Sequence, residues 1–255
     1  MPTFTADTPG PITLDLTAPI ADVTIRTSPD LNTATMTVTG PDEVVSGVTE
    51  HTEDSRWTVR LPDPGPTVIT GSSGGVRNTV FGNISGGAMI VSGGNVTISS
   101  GTVISGISGG STFTQTEPVK VDITLPERSN AALSQSTGQA RLHGHYAAVD
   151  FRSSNAGLEL NGDAEYLDAD TTNGSISVAG TVSDEINTSA TNGTLTLTSS
   201  APRTVARATN GSVTVAASGP HSIRARTTNG SLTVLKNGHN ADVTSSTTNG
   251  SELVH

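Results

Sequence analysis

The stretch Thr171-Thr172-Asn173-Gly174-Ser175-Ile176-Ser177-Val178 recurs downstream as Thr227-Thr228-Asn229-Gly230-Ser231-Leu232-Thr233-Val234. Its Asn-Gly pair is repeated at steps of 19, 18, 19 and 20 residues, at Asn173-Gly174, Asn192-Gly193, Asn210-Gly211, Asn229-Gly230 and Asn249-Gly250. Weaker copies at Asn155 and Thr137 bring the total to seven repeats over residues 137–255. A fixed period of this length is typical of repeat architectures, which must be considered before any other fold.

Each repeat carries two short alternating patterns, one on either side of the Asn. Apolar residues occupy the third and fifth positions after it, as in Leu158/Leu160, Ile176/Val178, Leu195/Leu197, Val213/Val215 and Leu232/Val234. The sixth and fourth positions before it hold smaller or more polar residues, such as Leu167/Ala169 and Ile186/Thr188. Period two is typical of a half-buried strand, so each repeat is predicted to hold two strands. Because Asn and Gly tolerate positive φ, the Asn-Gly pair is predicted to form the tight turn between them.

Two all-β architectures fit this pattern. One is a β-solenoid, resembling a parallel β-helix, built from repeats of about 19 residues; the other is an antiparallel β-meander of Asn-Gly hairpins. The solenoid is favoured because near-identical units need a geometry in which each makes the same contacts with its neighbours. Asn155 and the five Asn-Gly pairs are then predicted to form a structural ladder at the turns. Glu252 replaces the apolar residue of the last repeat, which indicates a terminal cap facing water.

Composition and charge limit the functional classes. The 255 residues include only one Trp, two Tyr and four Phe, with 28 Gly, which predicts a thin core and almost no helix. A net charge of −10 argues against a nucleic-acid partner. The absence of Cys excludes disulfides and thiolate metal sites.

The first residues have no signal-peptide pattern, which predicts a cytoplasmic protein, with surface association as the alternative. No stretch approaches the length of a transmembrane segment.

The charges are unevenly distributed along the chain. Residues 150–185 carry eight acids and one Arg, whereas residues 201–240 carry four Arg, one Lys and no acid. A solvated surface is the simpler interpretation. The alternative is that opposite charges at successive levels of the stack aid head-to-tail association, which would give a homo-oligomer or a fibre.

Three segments are predicted: an N-terminal β-strand segment (1–62), a Gly/Ser-rich insert of low charge (63–117), and β-solenoid repeats with a C-terminal cap (118–255). The insert has alternating apolar residues and no charged residue from Asn78 to Thr116, ingredients of self-associating strands. Its Gly content instead favours a flexible loop. The candidate assembly residues are Val80, Ile84, Ile90, Val91, Val96 and Ile98.

The chain resembles a known bacterial family in the opening Met1–Phe4, the strands Ile12–Leu16 and Ala21–Arg26, the segment Val119–Ser129, and the Asn-Gly repeats. This is the "putative adhesin" β-strand-repeat family, also called toast-rack domains, and the similarity is closest to actinobacterial members. The resemblance implies a β-solenoid-like fold, no established enzymatic activity, and a role in envelope stress or cell-surface contact. Within the insert, the stretch from Asn78 to Gly93 is similar to bacterial amyloid-signalling motifs.

Two clusters of titratable residues are candidate reactive sites. Asp163, Glu165, Asp168 and Asp170 could bind calcium or serve a polysaccharide-cleaving β-helix, but outward residues of a strand are the favoured interpretation. The pair His143 and His145 could chelate a metal with a third ligand, but exposed histidines at a turn are favoured. No nucleophile elbow or phosphate-binding loop is present. The sequence therefore predicts no catalytic, metal or cofactor site.

The favoured function is a non-enzymatic structural or interaction module. Its partner would be another protein, a glycan or further copies of the same chain. Two alternatives remain: a polysaccharide-acting enzyme that uses the four acids, and assembly into amyloid-type fibres through the insert.

Overall fold

The computed structural model describes residues 2–63, 96–99, 113–116, 119–219 and 221–255. These residues are almost entirely β, and their one helix is α1 (Asp42–Ser46). The strands before and around the insert are β1 (Thr3–Pro9), β2 (Thr13–Thr17), β3 (Asp22–Ser28), β4 (Thr33–Thr39), β5 (Thr49–Glu53), β6 (Arg56–Arg60), β7 (Val96–Ser99), β8 (Phe113–Thr116) and β9 (Lys120–Pro126).

The repeats begin in β10 (Ser129–Asn173), a continuous run of strand residues that coils back on itself, so that Gly162 lies against Gly144. The later strands lie alternately before and after an Asn-Gly pair: β11 (Ile176–Val178), β12 (Val182–Asn192), β13 (Leu195–Ser199), β14 (Arg203–Asn210), β15 (Val213–Ala217), β16 (Ser222–Asn229), β17 (Leu232–Leu235), β18 (Asp242–Asn249) and β19 (Glu252–Val254).

Equivalent strands of successive repeats pair in parallel. The end of β10 is followed by β12, β14, β16 and β18 in what we call the first ladder. Residues 158–160 of β10 are followed by β11, β13, β15, β17 and β19 in the second ladder. The register places each repeat Asn beside the next, for example Asn192 beside Asn210. This is pairing between repeats, and not the antiparallel hairpin pairing of the alternative interpretation.

The N-terminal strands extend the same parallel pairing. β2 lies between β6 and residues 130–134 of β10, whereas β3 lies between β9 and residues 140–143. Beyond them the pairing changes direction, because β5 is antiparallel to β6, β4 to β9, and β1 to β4. Local alternation is the same in parallel and antiparallel strands, so the sequence did not predict this change.

Little of the predicted insert falls within the described residues. Val96 and Ile98 lie in β7, which pairs in parallel with β8 as a separate two-stranded sheet. Val80, Ile84, Ile90 and Val91 lie outside the described residues. Assembly through the insert and the division into three segments therefore stay predictions.

The core is a stack of aligned apolar columns. In the second ladder Ile176, Leu195, Val213 and Leu232 lie directly above one another, each at most 1 % exposed. The first ladder contributes smaller buried residues, such as Ala169, Thr188, Ala206 and Ala225. The other buried column of the first ladder holds Leu167, Ile186, Thr204 and Ile223, so aliphatic and small side chains build a core with few aromatics.

Buried hydroxyl groups of both ladders bond to nearby backbone or side-chain oxygens. Thr171 Oγ1 donates to the Ala156 carbonyl at 3.1 Å, and Thr227 Oγ1 donates to the Gly211 carbonyl at 2.9 Å. The hydroxyls of Ser199 and Thr204 bond to each other. These bonds offset the cost of placing polar atoms in a thin core.

The repeated glycines are required mainly for close packing, and among those of the Asn-Gly pairs only Gly230 and Gly250 also have positive φ, at 155° and 159°. No repeat Asn has positive φ; the described non-Gly residues that do are Asp54, Arg128 and Asn237. A Cβ atom on Gly193 would lie 1.7 Å from the Gly174 carbonyl oxygen, and one on Gly211 would lie 1.8 Å from the Gly193 oxygen. Successive backbones therefore approach too closely at the turn for any side chain.

Candidate functional site

A column of asparagine amides runs along the turns. Each Nδ2 donates to the Oδ1 of the preceding repeat, from Asn173 to Asn155 at 2.8 Å and from Asn192 to Asn173 at 2.7 Å. The bonds continue from Asn210, Asn229 and Asn249, at 2.9, 2.7 and 2.8 Å. Every amide but the terminal ones thus both donates and accepts within the column. This geometry links the repeats to one another and contains no reactive group.

The outer side of the first ladder carries eight charged residues, and we call it the charged face. It consists of residues 166, 168 and 170 of β10 with their register partners in the next four strands. Its three columns are Tyr166–Glu185–Arg203–Ser222–Asp242, Asp168–Asn187–Val205–Arg224–Thr244 and Asp170–Ser189–Arg207–Arg226–Ser246.

One end of the charged face is acidic and is organised by a single arginine. Arg152 lies 2.5 Å from Asp168, 3.0 Å from Asp170 and 3.5 Å from Asp150, measured between guanidinium nitrogen and carboxylate oxygen. Burial raises the pKa of the Asp150 carboxyl, opposed by Arg152 and reinforced by the neighbouring Asp168 and Asp170 carboxylates. The hydrogen bond to Asp168 is the largest contribution that raises the pKa of Arg152. The three carboxylates therefore share one cation.

The four candidate reactive acids, Asp163, Glu165, Asp168 and Asp170, all have partners on adjacent strands or repeats. Asn187 and Ser189 donate to Asp168 and Asp170, respectively. Asp163 lies 3.0 Å from Nδ1 of His145 and accepts a bond from the Thr181 amide. Glu165 forms an ion pair with Arg128. These contacts fix the carboxylates in the stack, as expected for outward residues of a strand.

His143 and His145 contact different groups. His145 is bound to Asp163, and its backbone amide donates to Thr27 Oγ1 at 2.6 Å. The carbonyl of His143 accepts from the buried Tyr146 hydroxyl at 3.1 Å. Across the described ranges, no three His, Asp or Glu side chains converge in a way that could hold a metal ion.

Two further strands of the charged face, β14 and β16, are basic, whereas the last strand, β18, carries Asp242. Arg203 lies 3.0 Å from Glu185, and Arg207 donates to Asn187 Oδ1 at 3.4 Å. Arg224 and Arg226 are exposed and form no ion pair with another described residue. A row of guanidinium groups therefore follows directly after the acidic end.

Val205 lies among these arginines on the outer face. It is only 2 % exposed, although it does not belong to the hydrophobic core cluster. Its register neighbours are Asn187 and Arg224, with Arg203 and Arg207 on either side along its strand. The aliphatic part of an arginine side chain can cover an apolar residue in such a position.

Sequence reasoning detected the uneven charge but did not place it on one face. The available signal was position within the repeat. Asp168 and Asp170 stand five and three residues before their Asn, and Arg224 and Arg226 occupy the same two positions in a later repeat. Positions that are equivalent in a parallel ladder share one face, so this spacing would have located the charged face.

Three solved structures show the fold of this chain. A "putative adhesin" from Bacteroides fragilis matches with a TM-score of 0.63 and 12 % identity over 100 % of this chain and 96 % of that one. Two further "putative adhesins" come from Parabacteroides distasonis (TM-score 0.51, 13 % identity, 100 % and 97 % covered) and Parabacteroides merdae (0.50, 12 %, 100 % and 96 %). The likeness shows that this chain has the fold of these structures. It gives no support to the closer similarity to actinobacterial members expected from the sequence.

No protein-family model and no curated protein matches the sequence. The described residues contain no helix of the length and hydrophobicity needed to span a membrane.

Proposed function

We propose that the chain is a non-enzymatic β-solenoid of the adhesin type, associated with a cell surface, which binds its partner through the outer faces of its ladders. The observation that carries this proposal is the in-register parallel pairing of equivalent strands, which turns the outward residues of each repeat into flat columns. The candidate acids are held by neighbouring side chains in the same stack. The adhesin-type neighbours support the surface location.

The solenoid can be tested by a disulfide between successive repeats. Thr196 and Thr214 are register partners on adjacent parallel strands. Partners in a ladder lie about 5 Å apart, within the Cα separation that a disulfide spans. Because the chain has no Cys, the variant Thr196→Cys/Thr214→Cys is expected to form one intramolecular disulfide on mild oxidation. Mass spectrometry of the monomer and its tryptic peptides measures this bond.

The matched control is Thr196→Cys/Thr233→Cys. Thr233 pairs with Thr214, so it lies two strands away from Thr196. At a separation of about 10 Å the two Cα atoms are too far apart for a disulfide. Both thiols of the control should stay free. A control that oxidises as readily as the adjacent pair, or an adjacent pair that does not oxidise, would contradict the solenoid.

The non-enzymatic assignment is tested against the polysaccharide-acting alternative. Full-length protein is incubated with polygalacturonate and with neutral β-glucans, with and without Ca²⁺. Release of reducing ends and of unsaturated uronides is then followed. We expect no turnover, because Arg152 ion-pairs with both Asp168 and Asp170. Turnover that disappears in Asp168→Asn/Asp170→Asn would establish the enzyme instead. The surface variant Glu43→Gln, on α1, serves as the control.

A further inference from the structure

The charges on the charged face follow a definite order along the stack. β10 contributes Asp168 and Asp170, and β16 contributes Arg224 and Arg226 in the same two columns. Between them, β12 and β14 carry Glu185 and Arg203 in the remaining column, which begins at Tyr166. The four strands β10, β12, β14 and β16 are therefore divided into an acidic and a basic pair, with the midpoint between β12 and β14, and β18, which carries Asp242, lies outside this arrangement.

This order is self-complementary under one symmetry operation. A two-fold axis that is parallel to the strands, in the plane of contact and between β12 and β14, reverses the stack and keeps each column opposite itself. It places β10 of one copy opposite β16 of the other, and β12 opposite β14. Asp168 then faces Arg224 of the second copy, Asp170 faces Arg226, and Glu185 faces Arg203. Two-fold contacts of this kind are isologous, since both copies use the same surface.

We propose that the charged face is a homodimer interface, in which two copies of this chain pack face to face in opposite stack directions. The inference rests on the proposed interaction function and names its partner. Asp168, Asp170 and Glu185 each face an arginine of the second copy. Because each carboxylate already has an arginine partner in its own chain, the dimer supplies a second one. Arg224 and Arg226, which form no ion pair among the described residues, gain carboxylate partners.

The reach of the side chains and the size of the face agree with such a contact. Packed sheets lie about 10 Å apart, a gap that an extended arginine and an aspartate can span together. The four strands β10, β12, β14 and β16, spaced about 4.8 Å apart and about eight residues long, cover roughly 500 Å² on each copy. The total of about 1,000 Å² is at the lower limit for specific interfaces. A contact of this size, made mostly by exposed charges, is expected to be reversible and sensitive to salt.

The first test is sedimentation velocity of the full chain at micromolar concentrations. At an ionic strength of about 10 mM, where screening extends over about 30 Å, we expect dimers; at about 500 mM we expect monomers. The variant Arg224→Glu/Arg226→Glu places like charges opposite each other on both sides of the two-fold axis. It should raise the dissociation constant more than about a hundredfold. The control Arg56→Glu/Arg60→Glu makes the same charge change on β6 and should dimerise as the parent does.

A pair of complementary variants makes the test specific for this geometry. Asp168→Arg/Asp170→Arg should also be monomeric, since its arginines would face arginines. Mixed in equal amounts, this variant and Arg224→Glu/Arg226→Glu should form a heterodimer, because every acidic position then faces a basic one. Circular dichroism checks that both variants are folded before mixing.

Three results would overturn the proposal: a monomer at low ionic strength, a dimer unaffected by Arg224→Glu/Arg226→Glu, or two folded variants that do not associate when mixed. A monomer that binds a sulfated polysaccharide through Arg224 and Arg226 would assign the face to an anionic polymer instead. The disulfide and turnover experiments do not depend on dimerisation, so failure of the dimer leaves the proposed solenoid module standing.

Discussion

Replacing Gly193 by alanine is expected to lower the free energy of unfolding by about 3 kcal/mol or more. The new Cβ atom would lie 1.7 Å from the Gly174 carbonyl oxygen, which is a backbone atom and cannot rotate away. Relief requires the turn of one repeat to move, and Gly193 is itself in close contact with the position above it, Gly211. The strain therefore extends over several repeats. Urea unfolding followed by far-ultraviolet circular dichroism measures the change.

Gly219→Ala is the matched control for this substitution. A Cβ atom on Gly219 would meet no atom within 4 Å. We expect its stability to stay within about 0.5 kcal/mol of the parent. If both alanine variants were equally stable, the close approach of the turns would be wrong, and the repeated glycines would need another explanation.

The strands and the repeat unit could be predicted because they depend on local patterns. Apolar and polar residues alternate on both sides of Asn192. This alternation predicts two strands that each bury one face, and the structure contains them as β12 and β13. Register between repeats follows from the nearly equal steps, because a fixed spacing brings each Asn beside the next. The parallel direction is favoured by the same argument, since identical units can repeat the same contact indefinitely.

The charged face could have been located from repeat spacing, but the ion pairs on it could not be predicted from local patterns. Arg152 contacts Asp168 and Asp170 from the preceding repeat. Contacts between side chains so distant in sequence are defined only when the register of the ladder is known. The antiparallel pairs β1–β4 and β5–β6 were missed for a related reason, because an isolated alternating strand carries no information on the direction of its neighbour.

Leu195→Asp is expected to destabilise the stack by about 4 kcal/mol or more. Leu195 is fully buried in β13, with Ile176 below it and Val213 above it in the same apolar column. A carboxylate in this position loses its hydration and meets aliphatic side chains in its column, so the charge has no compensating partner there.

Thr196→Asp is the control, since it makes the same chemical change at the adjacent residue, which is exposed on the opposite side of β13. Its effect should stay below about 0.5 kcal/mol. Chemical unfolding of both variants, measured by circular dichroism, tests the assignment of faces. Similar losses in the two variants would contradict the period-two burial on which the whole stack depends.

The same experiment shows how far a defect spreads along the stack. The single Trp, Trp57, is fully buried in β6 near the other end of the parallel pairing, and its Nε1 donates to Glu50 at 2.9 Å. In a stack stabilised mainly by contacts between neighbouring repeats, Leu195→Asp should unfold the C-terminal repeats at lower urea than it unfolds the surroundings of Trp57. Circular dichroism would then change before the fluorescence does. Coincident transitions would instead mean that the N-terminal strands and the repeats unfold as one cooperative unit.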